Sequence, residues 1–247
     1  MILSTALLLA VVPALRAADF TSTWNGTTGN WTDTSKWSTP GAPGTFPNNG
    51  SPSPTYDAVQ SGGTLTVDLL GGITIQKFTL NRATMTAAND ITFKDLLTVA
   101  APGPVTSVDF GPQNTLNGVG VIQATGGIAW SALINNGWVA KSEISGVNTA
   151  VNGGRTLATD VMNVTGGMTI SGAAFKSLKT RALNHGDGVN PTTANWSAGE
   201  MQFSDNAVFT NRNGATFNSA FDGLMANRSG ANYFINQGIF TKSAGTV

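Results

Sequence analysis

The chain has 247 residues, no cysteine and a charged fraction of only 11%, with 13 Lys and Arg balanced by 13 Asp and Glu. An average soluble domain carries roughly 25% charged residues. A neutral chain with so few cations offers no basic face for nucleic acid, and without cysteine it has neither disulfides nor thiolate metal ligands. The apolar share of 40% shows that core has not replaced the missing charge. Gly, Thr and Asn have, supplying together about a third of the chain. Thr favours strands, while Gly and Asn occupy the positive-φ positions of tight turns. Many short strands joined by many tight turns would have this composition.

At the N-terminus, Ile2 to Leu15 is apolar except for Ser4, Thr5 and Pro13, and small Ala17 and Ala18 precede polar Asp19. A membrane span needs about 20 residues, so residues 1–17 read as an export signal cleaved after Ala17 or Ala18. An uncleaved anchor or a buried first strand is the alternative reading. Residues 18–57 are rich in Trp, Pro, Gly and Asn, with Trp24, Trp31 and Trp37 ahead of a proline-rich loop from Pro40 to Pro54. Prolines at this density exclude helix and central strand.

From residue 58 to 247 the pattern is short strands with glycine punctuation. Thr64-Leu-Thr-Val-Asp-Leu69, Ile73-Thr-Ile-Gln76, Phe78-Thr-Leu80, Ile91-Thr-Phe93 and Leu97-Thr-Val99 alternate polar and apolar residues, the period of half-buried strands. Ala173 to Leu183 is the best helical stretch, and its periodicity is weak. Gly-Gly pairs open strands at 62–63, 71–72, 126–127, 153–154 and 166–167. Ile134-Asn-Asn-Gly-Trp138, Phe209 to Phe217 and Ile235-Asn-Gln-Gly-Ile-Phe240 share one order: apolar, Asn, Gly, aromatic. Irregular repeats about 20 residues apart point to a solenoid, because one coil cannot bury its own apolar face and stacked coils can. Gly137, Gly214 and Gly238 are expected at positive φ, and Trp138, Phe217 and Phe240 inside the coil.

The run Gly166 to Arg181, the run Asn236 to Gly245, the opening from Trp24-Asn-Gly to Trp37-Ser, Tyr56-Asp-Ala58 and Gly63-Thr-Leu-Thr-Val67 resemble large exported β-helical repeat proteins of bacteria, of the autotransporter-like and PEP-CTERM kinds. The resemblance covers most of the mature chain. It implies a right-handed parallel β-helix and a surface location, and it implies no activity. Those proteins often end in a sorting signal or a barrel. Neither is seen before Val247, so the array is expected to be truncated, with an open end that could self-associate.

The inventory for chemistry is short. His185 is the sole histidine, and in a Gly-rich segment it reads as a solvated turn residue. Asp187 and Asn190 could contribute to a calcium site, but they fit a plain Asn/Gly turn better. No Gly-x-Ser-x-Gly elbow is present. Paired carboxylates are the strongest enzymatic option, since β-helices host polysaccharide lyases and glycosidases. Asp205 and Asp222, about one coil apart, are the pair that stacking could unite. Trp24, Trp31 and Trp37 could form an aromatic platform for sugar rings. The competing reading makes them a cap over the first coil, covering an otherwise open core. The sequence therefore leads to an all-β, right-handed parallel β-helix preceded by a Trp/Pro-rich cap. It is expected to be an extracellular or cell-surface structural or adhesive scaffold without cofactor, catalytic residue or metal. Extracellular glycans are the conceivable partner, and a carbohydrate-active β-helix or glycan-binding module is the alternative.

Overall fold

The computed structural model describes residues 17–50, 53–100, 112–135 and 138–246; residues 1–16, which hold nearly all of the expected export signal, lie outside them. The period-two patterns form strands. In Thr64–Val67, Leu65 and Val67 are buried while Thr64 and Thr66 face outward. Ile73–Ile75 and Phe78–Asn81 follow the same rule. The described residues contain one helical turn, the 3-10 helix Thr34–Lys36. The weak helical stretch is instead the strands Lys176–Lys179 and Ala182–His185.

These strands build a parallel β-helix with three faces. Tyr56–Ser61 lies on the first face, Thr64–Val67 on the second and Ile73–Ile75 on the third. Phe78–Asn81 then returns to the first, where Phe78 sits beside Ala58. The same cycle continues to the last described coil: Ala215–Ser219, Met225–Ser229, Tyr233–Asn236 and back to Ile239–Lys242. Coil length varies. Ala58 pairs with Phe78 and Phe78 with Leu97, whereas Ile128 pairs with Met168. The long coil carries two hairpins, Leu133–Asn135 with Trp138–Ser145 and Thr149–Asn152 with Arg155–Ala158.

Stacking sorts the interior into columns. One column of the third face runs Ile73, Ile91, Ile122, Met162, Leu183, Phe209, Phe234. Neighbouring strands lie about 4.8 Å apart, so like side chains stack. Phe209 and Phe234 have ring centroids 5.2 Å apart at 15°, and Phe217 and Phe240 5.6 Å apart at 11°. With no disulfide, the fold rests on these columns and on the backbone ladders between coils.

The Trp-rich segment joins the sheets. Phe20–Trp24 pairs in parallel with Tyr56–Ser61, and Gly29–Asn30 with Thr64–Val67. Trp37–Ser38 then runs antiparallel to Phe20–Trp24 and ends the first face. Parallel stacking thus stops at an antiparallel strand, which covers one edge of the array.

The glycine expectations divide. Gly214 has φ +77°, as the turn requires. Gly238 is outside the positive-φ region, and its need is close approach: an added Cβ would meet the Ala215 carbonyl oxygen at 2.2 Å. Gly137 lies outside the described residues. Ile134 to Trp138 is no corner equivalent to the other two. Ile134 and Asn135 instead pair antiparallel with Val139 and Trp138.

Candidate functional site

Trp24, Trp31 and Trp37 are all buried, with exposures of 2%, 0% and 6%. Trp37 packs on Trp24 and on Trp31 with centroids 5.1 and 5.0 Å apart, and Trp31 reaches Phe78 at 5.8 Å. Each indole N–H donates to a carbonyl oxygen: Thr27, Pro47 and Trp31 respectively. The rings present no face on which a sugar could stack. They extend the apolar column into the cap, which is the competing reading of this segment.

His185 is fully buried, contrary to the solvated turn expected for it. The alternation Leu183 in, Asn184 out, His185 in places it in the interior column that holds Ile75, Phe93, Ala124 and Val164 in earlier coils. The column then turns polar. His185 Nδ1 lies 2.9 Å from Asn211 Oδ1. Asn211 Nδ2 donates to Asn236 Oδ1 at 2.8 Å and to the Ile239 carbonyl at 3.0 Å. His185 Nε2 has no partner. Burial pushes the imidazole below its ordinary pKa, against the opposing pull of Asn211. Asn211 and Asn236 therefore form an amide ladder between coils, with a histidine at its head.

Asp205 and Asp222 do not meet. Asp205 lies between Met201–Ser204 and Val208–Asn211, at the corner from the second face to the third. Asp222 lies between Ala215–Ser219 and Met225–Ser229, at the corner from the first face to the second. Asp205 accepts from the Ser229 hydroxyl and pairs with Lys179 at 3.5 Å. Asp222 pairs with Lys242 at 2.6 Å and accepts from the backbone and hydroxyl of Thr246. These bonds, that of Lys242 first, hold its carboxyl well below the usual range. Asp187 closes a turn, accepting from the Asn190 side chain and from the backbone of Val189 and Asn190, and its pKa falls to about 2. Among the described residues no three His, Cys, Asp or Glu side chains gather where they could hold a metal ion.

Two cations turn inward. Lys176 is fully buried in a column with Asn114, Ser142 and Met201. Its Nζ donates to the carbonyls of Ser171, Gly172 and Ala198 at 2.9, 2.6 and 2.7 Å, and burial lowers its pKa to about 8. Arg181, also fully buried, donates to the carbonyls of Ser145, Val161, Gly118 and Gly120, which belong to the two preceding coils. Burial lowers its pKa to about 10, and Asp160 nearby opposes the shift. Sequence reasoning missed both. Lys176 falls in phase with Leu178, and that register was the available signal.

The last described coil presents apolar surface. Phe240 is 46% and Ile239 61% exposed, although Phe240 stacks directly on buried Phe217. Its orientation fits the expected inward position, but no further described coil covers it. No protein-family model, curated protein or solved structure matches the chain.

Proposed function

We propose that this chain is a non-catalytic, exported β-solenoid that serves at or outside the cell surface as a structural or adhesive scaffold. One observation carries the reading: the groups the sequence offered for chemistry are engaged by the fold itself. His185 heads a core ladder, and Asp205 and Asp222 stand at different corners with separate partners. The tryptophans are consumed by the cap. The exposed apolar end of the last described coil favours end-on association with another β-coil, since unpaired strand edges and apolar surface both recruit strands.

The test is a depolymerisation assay of the full chain on acidic and neutral polysaccharides, beside Asp205→Ala and Asp222→Ala. No turnover is expected; turnover abolished by either substitution would overturn the scaffold reading. Mass spectrometry of the protein from its host should find Ala18 or Asp19 at the N-terminus, and intact Met1 in the cytoplasm would overturn export. Light scattering that finds only monomer at high concentration would count against end-on association.

A further inference from the structure

In a solenoid each coil touches only its neighbours, so a terminal coil can fray without disturbing the rest. One corner of this molecule departs from that rule. The hairpin Thr149–Asn152 with Arg155–Ala158 leaves the long coil between Trp138–Ser145 and Val161–Val164, at the corner from the second face to the third. Its base is fixed by Asp160, which accepts from the backbone of Val147 and Asn148 and from Asn148 Nδ2. The Thr159 N–H also donates to the Asn148 carbonyl at 3.0 Å.

From this base the hairpin passes over the next coil. That coil turns its corner with only Thr180 and Arg181, between Lys179 and Ala182. Thr180 has φ +47°, and Arg181 points into the core. The corner is therefore short, with its large side chain turned away from the surface. The hairpin touches down on later coils instead. The Ala158 N–H donates to the Asn206 carbonyl at 3.0 Å, two coils from the root. The Arg155 guanidinium lies over the Tyr233 ring, 5.2 Å from its centroid, three coils from the root. Inside the same corner, Arg181 bonds carbonyls of the two preceding coils, Gly118 and Gly120 in one and Ser145 and Val161 in the other.

We propose that the Thr149–Ala158 hairpin is a strap that couples the coil bearing Tyr233 to the middle of the solenoid, with Arg155 as its latch. The latch converts a nearest-neighbour stack into a block of coils that opens together. Unzipping from the side of Ile239–Lys242 must release Arg155 from Tyr233 before the coil bearing Tyr233 can leave.

Hydrogen exchange of the full chain tests this. Arg155→Ala should speed exchange of the amides in residues 225–242 about two- to five-fold, the range for an exposed cation over an aromatic ring. It should leave residues 56–100 unchanged. Tyr233→Leu should act likewise, and the double variant should lose no more than either single one. A hairpin shortened by replacing residues 151–156 with Asn-Gly should match Arg155→Ala or exceed it. Val151→Ala, at a side chain 74% exposed, is the control and should change nothing. Unchanged exchange in residues 225–242 in both Arg155→Ala and the shortened hairpin would overturn the strap. So would additive effects of Arg155→Ala and Tyr233→Leu, or equal acceleration throughout the chain.

Discussion

Phe217 is the position where the column architecture can be weighed most directly against the charged corners. Its side chain is fully buried. Its ring has four aromatic neighbours, with centroids 5.2 Å away at Phe234, 5.5 Å at Phe209, 5.6 Å at Phe240 and 6.3 Å at Trp196. Burying a phenylalanine contributes about 1.5–3 kcal/mol, and each well-placed aromatic pair adds about 0.5–1.5 kcal/mol. Truncation to alanine also leaves a cavity, and measured Phe→Ala costs run to about 3–5 kcal/mol. Phe240 above the ring is itself 46% exposed, so part of that cavity opens to water. The expected loss is therefore at the lower end, about 3 kcal/mol.

Solenoids can unfold in sections, so the loss should be read locally, as hydrogen exchange across residues 192–242. A cost of about 3 kcal/mol accelerates exchange roughly 150-fold. Asp222→Ala, at an exposed carboxylate bonded to Lys242 and Thr246, should accelerate it far less. A loss under about 1 kcal/mol for Phe217→Ala, which is the size of an ordinary surface change, would refute the reasoning. A greater loss for Asp222→Ala would refute it too, and would return attention to the carboxylates as functional groups.

Two pH dependences follow from the buried bases. His185 titrates below its ordinary value in the folded chain, so between the two values the unfolded chain binds more protons. Stability is then full above about pH 6.5 and falls as the pH drops toward the folded value; denaturant melts of His185→Gln should lack this part of the acid limb, and an identical limb would count against it. Lys176 titrates at about 8 when folded and 10.5 as a free side chain, so stability should rise between those values as the folded chain sheds its buried charge first. Lys176→Met should flatten that rise, and an unaltered rise would show that Lys176 is not its source.

What the sequence determined by itself is the local pattern. Alternation in Thr64–Val67 or Ile73–Ile75 fixes which side chains turn inward, because a strand has a period of two whatever lies beside it. Gly-Gly and Asn-Gly mark reversals for the same local reason. The class of fold was therefore legible. So was burial of Phe217. Which coil lies on which was decided only in three dimensions. Coil lengths differ too much for register to be read from spacing, as the steps from Ala58 to Phe78 and from Ile128 to Met168 show. A hairpin tip and a solenoid corner are written with the same residues, so Ile134 to Trp138 could pass for a corner. His185, Lys176 and Arg181 look like surface residues one at a time. They are tolerated inside because the fold brings carbonyls and an amide within hydrogen-bonding distance, those of Ala198, Ser145 and Asn211 from other coils. A buried polar group is stable only with such partners, and for these three they come from residues up to 63 positions away.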